Sequence, residues 1–222
     1  MKQQRKGVIR TVLDCVSPWL FFFTKHLNRI HIDSEPHLPP EALNCWRKHV
    51  SQASVYVEYG GGGSTSSALS MGSKVVISVE SDFKFHKALK NLSKSKSYIP
   101  LYANIGLTTK WGQPLFKSPQ NKWIRYPIAP LIELDKRKII PDVVLIDGRF
   151  RVASTLAMIL YCIGQSTIFL IDDFRDRPEY RILLEFLDPI AFHDRLLEAR
   201  IKPEIKAHRI LLCFIKYAHD YR

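Results

Sequence analysis

The run Glu58-Tyr59-Gly60-Gly61-Gly62-Gly63-Ser64 sets an acid and four glycines between a β-branched, aromatic stretch (Ser54 to Glu58) and a helix-compatible stretch (Ser64 to Met71). Lacking β-carbons, such a run can pass close to a ligand and aim backbone amides at it. Roughly twenty residues further on, an apolar stretch from Lys74 to Val79 ends at Glu80, a spacing at which a carboxylate takes both hydroxyls of an adenosine ribose. A dinucleotide fits poorly. Counting from Gly60 and Gly62, the third glycine of a G-x-G-x-x-G pattern falls on Thr65, and an acid at Glu58 would repel a pyrophosphate. A cationic cofactor suits Glu58 better, which points to the sulfonium S-adenosylmethionine (SAM). A glycine run alone also serves tight turns, and Glu80 alone could cap a helix.

Two further stretches carry acids directly after apolar runs: Asp147-Gly148-Arg149-Phe150-Arg151 and Asp172-Asp173-Phe174-Arg175-Asp176-Arg177. Three chemistries remain open there. Asp147, Asp172 and Asp173 could converge as hard oxygen ligands on Mg²⁺, which would orient a substrate oxygen and lower its pKa. Asp147 could act alone as a general base, with Asp173 and Arg149 as further candidate catalytic groups. The acids could equally be neutralised by Arg149, Arg151, Arg175 and Arg177 in a structural ion network. Guanidinium forks also bind carboxylate and phosphate at two points, so a sugar acid or a phosphorylated acceptor would suit them.

The elements that must position these residues alternate. Expected strands are Ser54 to Glu58, Lys74 to Val79, Tyr98 to Tyr102, Pro141 to Ile146 and Thr167 to Ile171, with two more near Arg195 to Ile201 and Arg209 to Tyr217. Expected helices are Glu41 to Val50, Ser64 to Met71, Ser81 to Leu92, Val152 to Ile163 and Pro178 to Leu187. Residues 104 to 138 lack periodicity, contain Pro114, Pro119, Pro127 and Pro130, and read as a long loop with one short helix. Trp111, Trp123 and Tyr126 in that loop could stack on a sugar or base, or pin the loop to the domain. The alternation predicts an α/β doubly wound, mostly parallel sheet with an antiparallel edge hairpin. Ligands of such sheets sit beyond the carboxyl ends of the strands.

The segments Val57 to Thr65, Val79-Glu80-Ser81-Asp82, Asn104-Ile105-Gly106 with Trp111-Gly112, and Asp142 to Arg151 resemble a family of bacterial class I methyltransferase-like proteins, some encoded near polysaccharide genes. The resemblance spans roughly residues 40 to 217 and implies a seven-stranded Rossmann-like fold with Glu58, Gly60, Gly62 and Glu80 at the cofactor. With the neighbouring motif positions, the expected cofactor-binding set is Glu58, Gly60, Gly61, Gly62, Ser64, Thr65, Glu80, Ser81, Asn104 and Asp147. Ser64 stands where many methyltransferases have a third glycine. The acids after the fourth and fifth strands are similar to those of metal-dependent catechol-type O-methyltransferases. The resemblance assigns no acceptor.

At 222 residues the chain suits one catalytic domain, residues 41 to 222, preceded by a helical extension and turn-rich linker over residues 1 to 40. Lys and Arg outnumber Asp and Glu 33 to 21, and Lys84 to Lys138 hold 12 basic side chains against Glu133 and Asp135. That span predicts an anionic ligand or a solvated surface. Lys2, Arg5 and Lys6 precede a patchy apolar stretch, residues 8 to 23, interrupted by Arg10, Asp14 and Pro18. It is too short to span a bilayer, and reads as a helix docked on the domain or lying peripherally on the inner face of a membrane. Cys15, Cys45, Cys162 and Cys213 form no C-x-x-C pair and read as buried free thiols of a cytoplasmic protein, which argues against structural zinc. The leading expectation is SAM-dependent O-methylation of a small-molecule or glycan acceptor. RNA methylation, favoured by the basic span, and a binding or assembly role without catalysis are the alternatives.

Overall fold

Val55–Tyr59 (β1) is buried along its whole length, as a strand covered by helices on both faces must be. Val143–Ile146 (β4) and Ile168–Ile171 (β5) are likewise buried throughout, and Val75–Glu80 (β2) nearly so. In the computed structural model, which describes residues 30–72, 75–117 and 120–222, these strands and Tyr98–Tyr102 (β3) form a parallel array in the order β3-β2-β1-β4-β5. Leu187–His193 (β6) and Leu196–Ile201 (β7) form a hairpin whose β7 runs antiparallel to β5, giving a seven-stranded mixed sheet.

Alternation along the strands divides the core. Val57 and Tyr59 of β1 face one side, with Val144, Ile146, Phe169 and Ile171. That side is covered by Arg125–Arg137 (α4), Arg151–Tyr161 (α5) and Ala207–Tyr217 (α6), through Tyr126, Leu134, Leu156, Ile159, Ile210 and Phe214. Tyr56 faces the other side with Val76, Leu145 and Leu170. Ala42, Trp46 and Val50 of Pro40–Gln52 (α1) and Ala68 of Gly63–Ser70 (α2) cover it, and Leu92, just past Phe83–Lys90 (α3), packs there too.

Two expectations are corrected. Arg209 to Tyr217 is helix, not strand: its buried Ile210 and Phe214 are four residues apart, the spacing of one helix face, and the hairpin is completed instead by β6. The one short helix expected within residues 104 to 138 is longer, a 13-residue helix over residues 125–137. Pro127 falls in its first turn, where the missing N–H has no helical partner, and burial of Tyr126, Pro127, Pro130 and Leu134 offsets the bond that Pro130 removes. The helix expected to open at Pro178 is present as Pro178–Glu185, in 3₁₀ form.

Residues 8 to 23 and Cys15 lie outside the described residues. Among the described residues no helix is long and apolar enough to cross a membrane. The turn-rich stretch before α1 lies on the domain. A β-carbon on Gly63 would collide with the Glu35 carbonyl, Arg47 Nη2 lies 2.7 Å from Glu35 Oε1, and Arg195 donates to the His37 carbonyl at 3.1 Å.

Candidate functional site

The glycine turn after β1 is held by its own acid. Glu58 is fully buried and accepts hydrogen bonds from Tyr56 Oη (3.0 Å), Ser64 Oγ (2.6 Å) and Thr65 Oγ1, with Ser78 alongside. Trp46 Nε1 donates to Tyr56 Oη at 3.0 Å, extending the chain of bonds into α1. All of these donors are neutral. Burial raises the Glu58 pKa and the hydroxyls oppose that rise. Thr65 Oγ1 also accepts from the Gly62 amide at 3.0 Å, closing the turn. In this arrangement both Glu58 carboxylate oxygens are engaged by the domain's own hydroxyls.

Gly60 has φ +89°, and a β-carbon there would lie 2.7 Å from the Asp147 carbonyl oxygen and from Gly148 Cα. The turns after β1 and β4 thus touch through backbone, and only glycine fits between them. Gly61 is pressed on Ser78 and Leu89, whereas a β-carbon on Gly62 would meet nothing within 4 Å, so the outer face of the turn is open.

Glu80, at the end of β2, is buried, and its Oε1 accepts from the amides of Ser81 (2.7 Å) and Asp82 (2.9 Å). Its Oε2 takes no hydrogen bond among the described residues. Burial raises this carboxyl to about 7, opposed by the two amides. The buried Ser81 donates through Oγ to the Gly112 carbonyl (3.1 Å), and Thr108 Oγ1 donates to Asp82 at 2.6 Å, so residues 108 to 112 fold over this strand end. Trp111, within that fold, has a left-handed backbone (φ 59°) and is 74% exposed. Trp123 and Tyr126 are buried against Phe150 and pin α4 to the domain. Asn104 follows β3, is exposed, and spends its side-chain oxygen on the Gly106 amide (3.0 Å).

The β4 and β5 ends bring Asp147, Asp172 and Asp173 together, but arginine occupies the point of convergence. Arg151, 4% exposed, places Nη2 3.1 Å from both Asp147 Oδ1 and Asp173 Oδ2, and donates to the carbonyls of Gly148 (3.1 Å) and Asp172 (2.7 Å). Arg195 grips Asp172 with two bonds (2.9 and 3.0 Å) and reaches Asp173 Oδ1 at 3.1 Å. Each carboxylate thus has a cationic partner in the place a Mg²⁺ ion would need. The Asp147 side chain is about a third open (35%). Burial and the neighbouring Asp172 and Asp173 raise its carboxyl to about 7, against Arg151 and Arg195.

Arg149 differs from Arg151 two residues on. It makes no ion pair among the described residues, and its Nε is buried without a hydrogen-bond partner. It lies between Gly112, whose added β-carbon would be 3.9 Å from Arg149 Cγ, and Tyr126, whose Oη accepts from the Arg149 amide at 3.4 Å. Arg195 was not among the expected site residues, and Tyr126 was expected only as a stacking or loop-pinning ring. Arg195 stands 22 residues after Asp173, and only the β6–β7 hairpin brings it back.

No family model matches the sequence, and neither does any curated protein. The crystal structure of a methyltransferase-like protein from Silicibacter pomeroyi DSS-3 is similar, with a TM-score of 0.74 and 29% identity, covering 86% of this chain and 100% of that one. The fold is methyltransferase-like. A class I, Rossmann-like sheet with an antiparallel edge pair is thereby established, and the residues at its β1 and β2 ends fit the chemistry of SAM. The turn has an open outer face, Glu80 Oε2 takes no hydrogen bond among the described residues, and the buried acids there have only neutral hydrogen-bond donors.

The basic span is split by the fold. Lys87 and Lys90 sit on α3, while Lys136, Arg137 and Lys138 close α4 on the other side of the sheet, and Lys138 is paired with Asp135 at 2.9 Å. Away from the strand ends, Cys45 and His49 of α1 meet His193 and Glu198 of the hairpin. Reading the cysteines only as buried thiols misses this group, although Cys45 and His49 are one helical turn apart in the sequence.

Proposed function

We propose that this chain transfers a methyl group from SAM to an oxygen of a small anionic acceptor of carbohydrate type, a sugar acid or a phosphorylated sugar. The observation that carries the reading is Arg149, a half-buried guanidinium with no counter-ion, two residues from the partly open carboxylate of Asp147. An unpaired guanidinium out of water is costly, and a carboxylate or phosphate on the acceptor supplies the missing charge.

SAM, when bound, supplies the activated methyl group on its sulfonium. Glu80 would hold the ribose through Oε2, the open face at Gly62 would take the aminoacyl end, and the buried Glu58 would favour the positive charge. Arg149 orients the acceptor. Asp147, with a pKa raised towards neutrality, accepts the hydroxyl proton as the oxygen attacks. Arg151 holds Asp147 in place and keeps an ionised fraction available. No step needs Mg²⁺, since guanidinium already fills the space between the acids. The free thiols Cys45, Cys162 and Cys213 support a reducing, cytoplasmic setting.

The test is methyl transfer from labelled SAM to a panel of uronic acids, sugar phosphates, neutral sugars and RNA. Label should enter an acidic sugar, and Arg149→Ala should raise KM for it at least tenfold. Transfer to RNA alone, or to a neutral acceptor with no effect of Arg149→Ala, would overturn the reading.

A further inference from the structure

Cys45 and His49 project from one face of α1, one turn apart, towards Glu198 on β7. Cys45 Sγ lies 3.5 Å from Glu198 Oε2 and His49 Nε2 lies 2.8 Å from Glu198 Oε1. One ligand atom from each of the three residues falls within 4.8 Å of the others, the one such trio among the described residues. Zinc bonds of roughly 2.0–2.3 Å in a tetrahedron hold neighbouring ligand atoms about 3–4 Å apart, so the trio needs only small side-chain adjustments to enclose an ion.

The donor set is also chemically apt. Thiolate, imidazole and carboxylate together suit Zn²⁺ and do not suit Mg²⁺ or Ca²⁺, which prefer oxygen alone. His193 Nε2, 2.8 Å from Glu198 Oε2, approaches the carboxylate from the hairpin and fixes its orientation, as supporting groups around zinc ligands do. Cys45 and Glu198 are buried, while the side chains of His49 and His193 keep exposures of 18% and 27%, leaving an edge through which an ion and a water can enter.

The geometry points to a zinc site formed by Cys45, His49 and Glu198, with water in the fourth position and His193 orienting Glu198. On binding, the Cys45 thiol proton leaves to solvent, the His49 proton moves to Nδ1, and the metal takes the positions those protons held. The site would clamp α1 to the antiparallel edge of the sheet. Because α1 follows directly on the stretch packed against Gly63, the clamp also steadies the chain beside the glycine turn.

The test uses the full chain, stripped with chelator and titrated with Co²⁺ and then Zn²⁺. One equivalent of Co²⁺ should give a thiolate-to-cobalt charge-transfer band that Zn²⁺ displaces and that Cys45→Ser abolishes. His193→Gln should keep the band but weaken binding by about 10- to 100-fold. Glu198→Gln, which preserves shape, should weaken it at least tenfold and remove the rise in Tm that Zn²⁺ gives the unaltered protein. No band with folded protein, or a band that survives Cys45→Ser, would overturn the site. Should Cys45→Ser fail to fold, the Glu198→Gln comparison decides: an unchanged Zn²⁺ response rejects the proposal.

Discussion

The two halves of the strand-end cleft treat their acids in opposite ways. At β1 and β2, Glu58 and Glu80 take hydrogen bonds only from hydroxyls and backbone amides, so their charge, when ionised, is not cancelled by a cation. At β4 and β5, Asp147, Asp172 and Asp173 are matched by Arg151 and Arg195, and Arg149 is left over as a positive group. A half that stays negative suits a cationic cofactor, and a half with a spare cation suits an anionic acceptor. Counting carboxylates alone would have made both halves look alike; their partners separate them.

The largest effect that could break this contrast is expected at Arg151. Arg151→Ala removes the partner of Asp147 and one partner of Asp173, and should destabilise the protein by about 3–5 kcal/mol in denaturant unfolding. A loss below 1 kcal/mol, on the order of a surface pair, would mean the acids are not mutually held. Next comes Gly60→Ala, which forces a side chain into a left-handed backbone against the Asp147 carbonyl. It should cost about 2–3 kcal/mol and abolish SAM binding.

A smaller effect is set by pH. The Glu80 carboxyl, raised to about 7 by burial, is protonated in the folded protein below that pH and ionised above it. Ionisation frees it to accept two ribose hydroxyls, so SAM affinity should rise as pH increases through about 7. The folded state binds this proton more tightly than the unfolded chain, whose value is 4.5, so stability without ligand should fall as pH rises from 4.5 to about 7. Glu80→Gln should flatten both profiles. A change of opposite sign belongs to Arg149→Ala, which breaks no ion pair among the described residues and removes a charge held out of water without a counter-ion, so the ligand-free protein should be at least as stable while acceptor use is impaired. Equal losses of stability from Arg149→Ala and Arg151→Ala would erase the distinction between them.

Much of this fold was legible in the sequence because its strands are short apolar runs ended by glycine or acid, and a buried parallel strand leaves that mark. The extent of helix α4 and the helical state of α6 were not legible, for different reasons. Pro127 and Pro130 mask the helical pattern of α4, and the β-rich composition of α6 imitates a strand although Ile210 and Phe214 carry a four-residue period. At the site, the residues behind each strand could be named from position, but their partners could not. Arg195 reaches Asp172 only through the hairpin, and the pairing of Arg151 rather than Arg149 with the acids depends on which side chain the turn after β4 directs inward. The same limit hid Glu198 from Cys45, 153 residues away in the chain.

The central claim is that the β1 and β2 ends bind SAM. Its most direct test is calorimetric titration of the purified protein with SAM and with S-adenosylhomocysteine, repeated on Glu80→Ala. Micromolar binding, weakened at least tenfold by the substitution (about 1.4 kcal/mol), is the predicted result. Absence of binding by well-folded protein, or binding indifferent to Glu80→Ala, would contradict it.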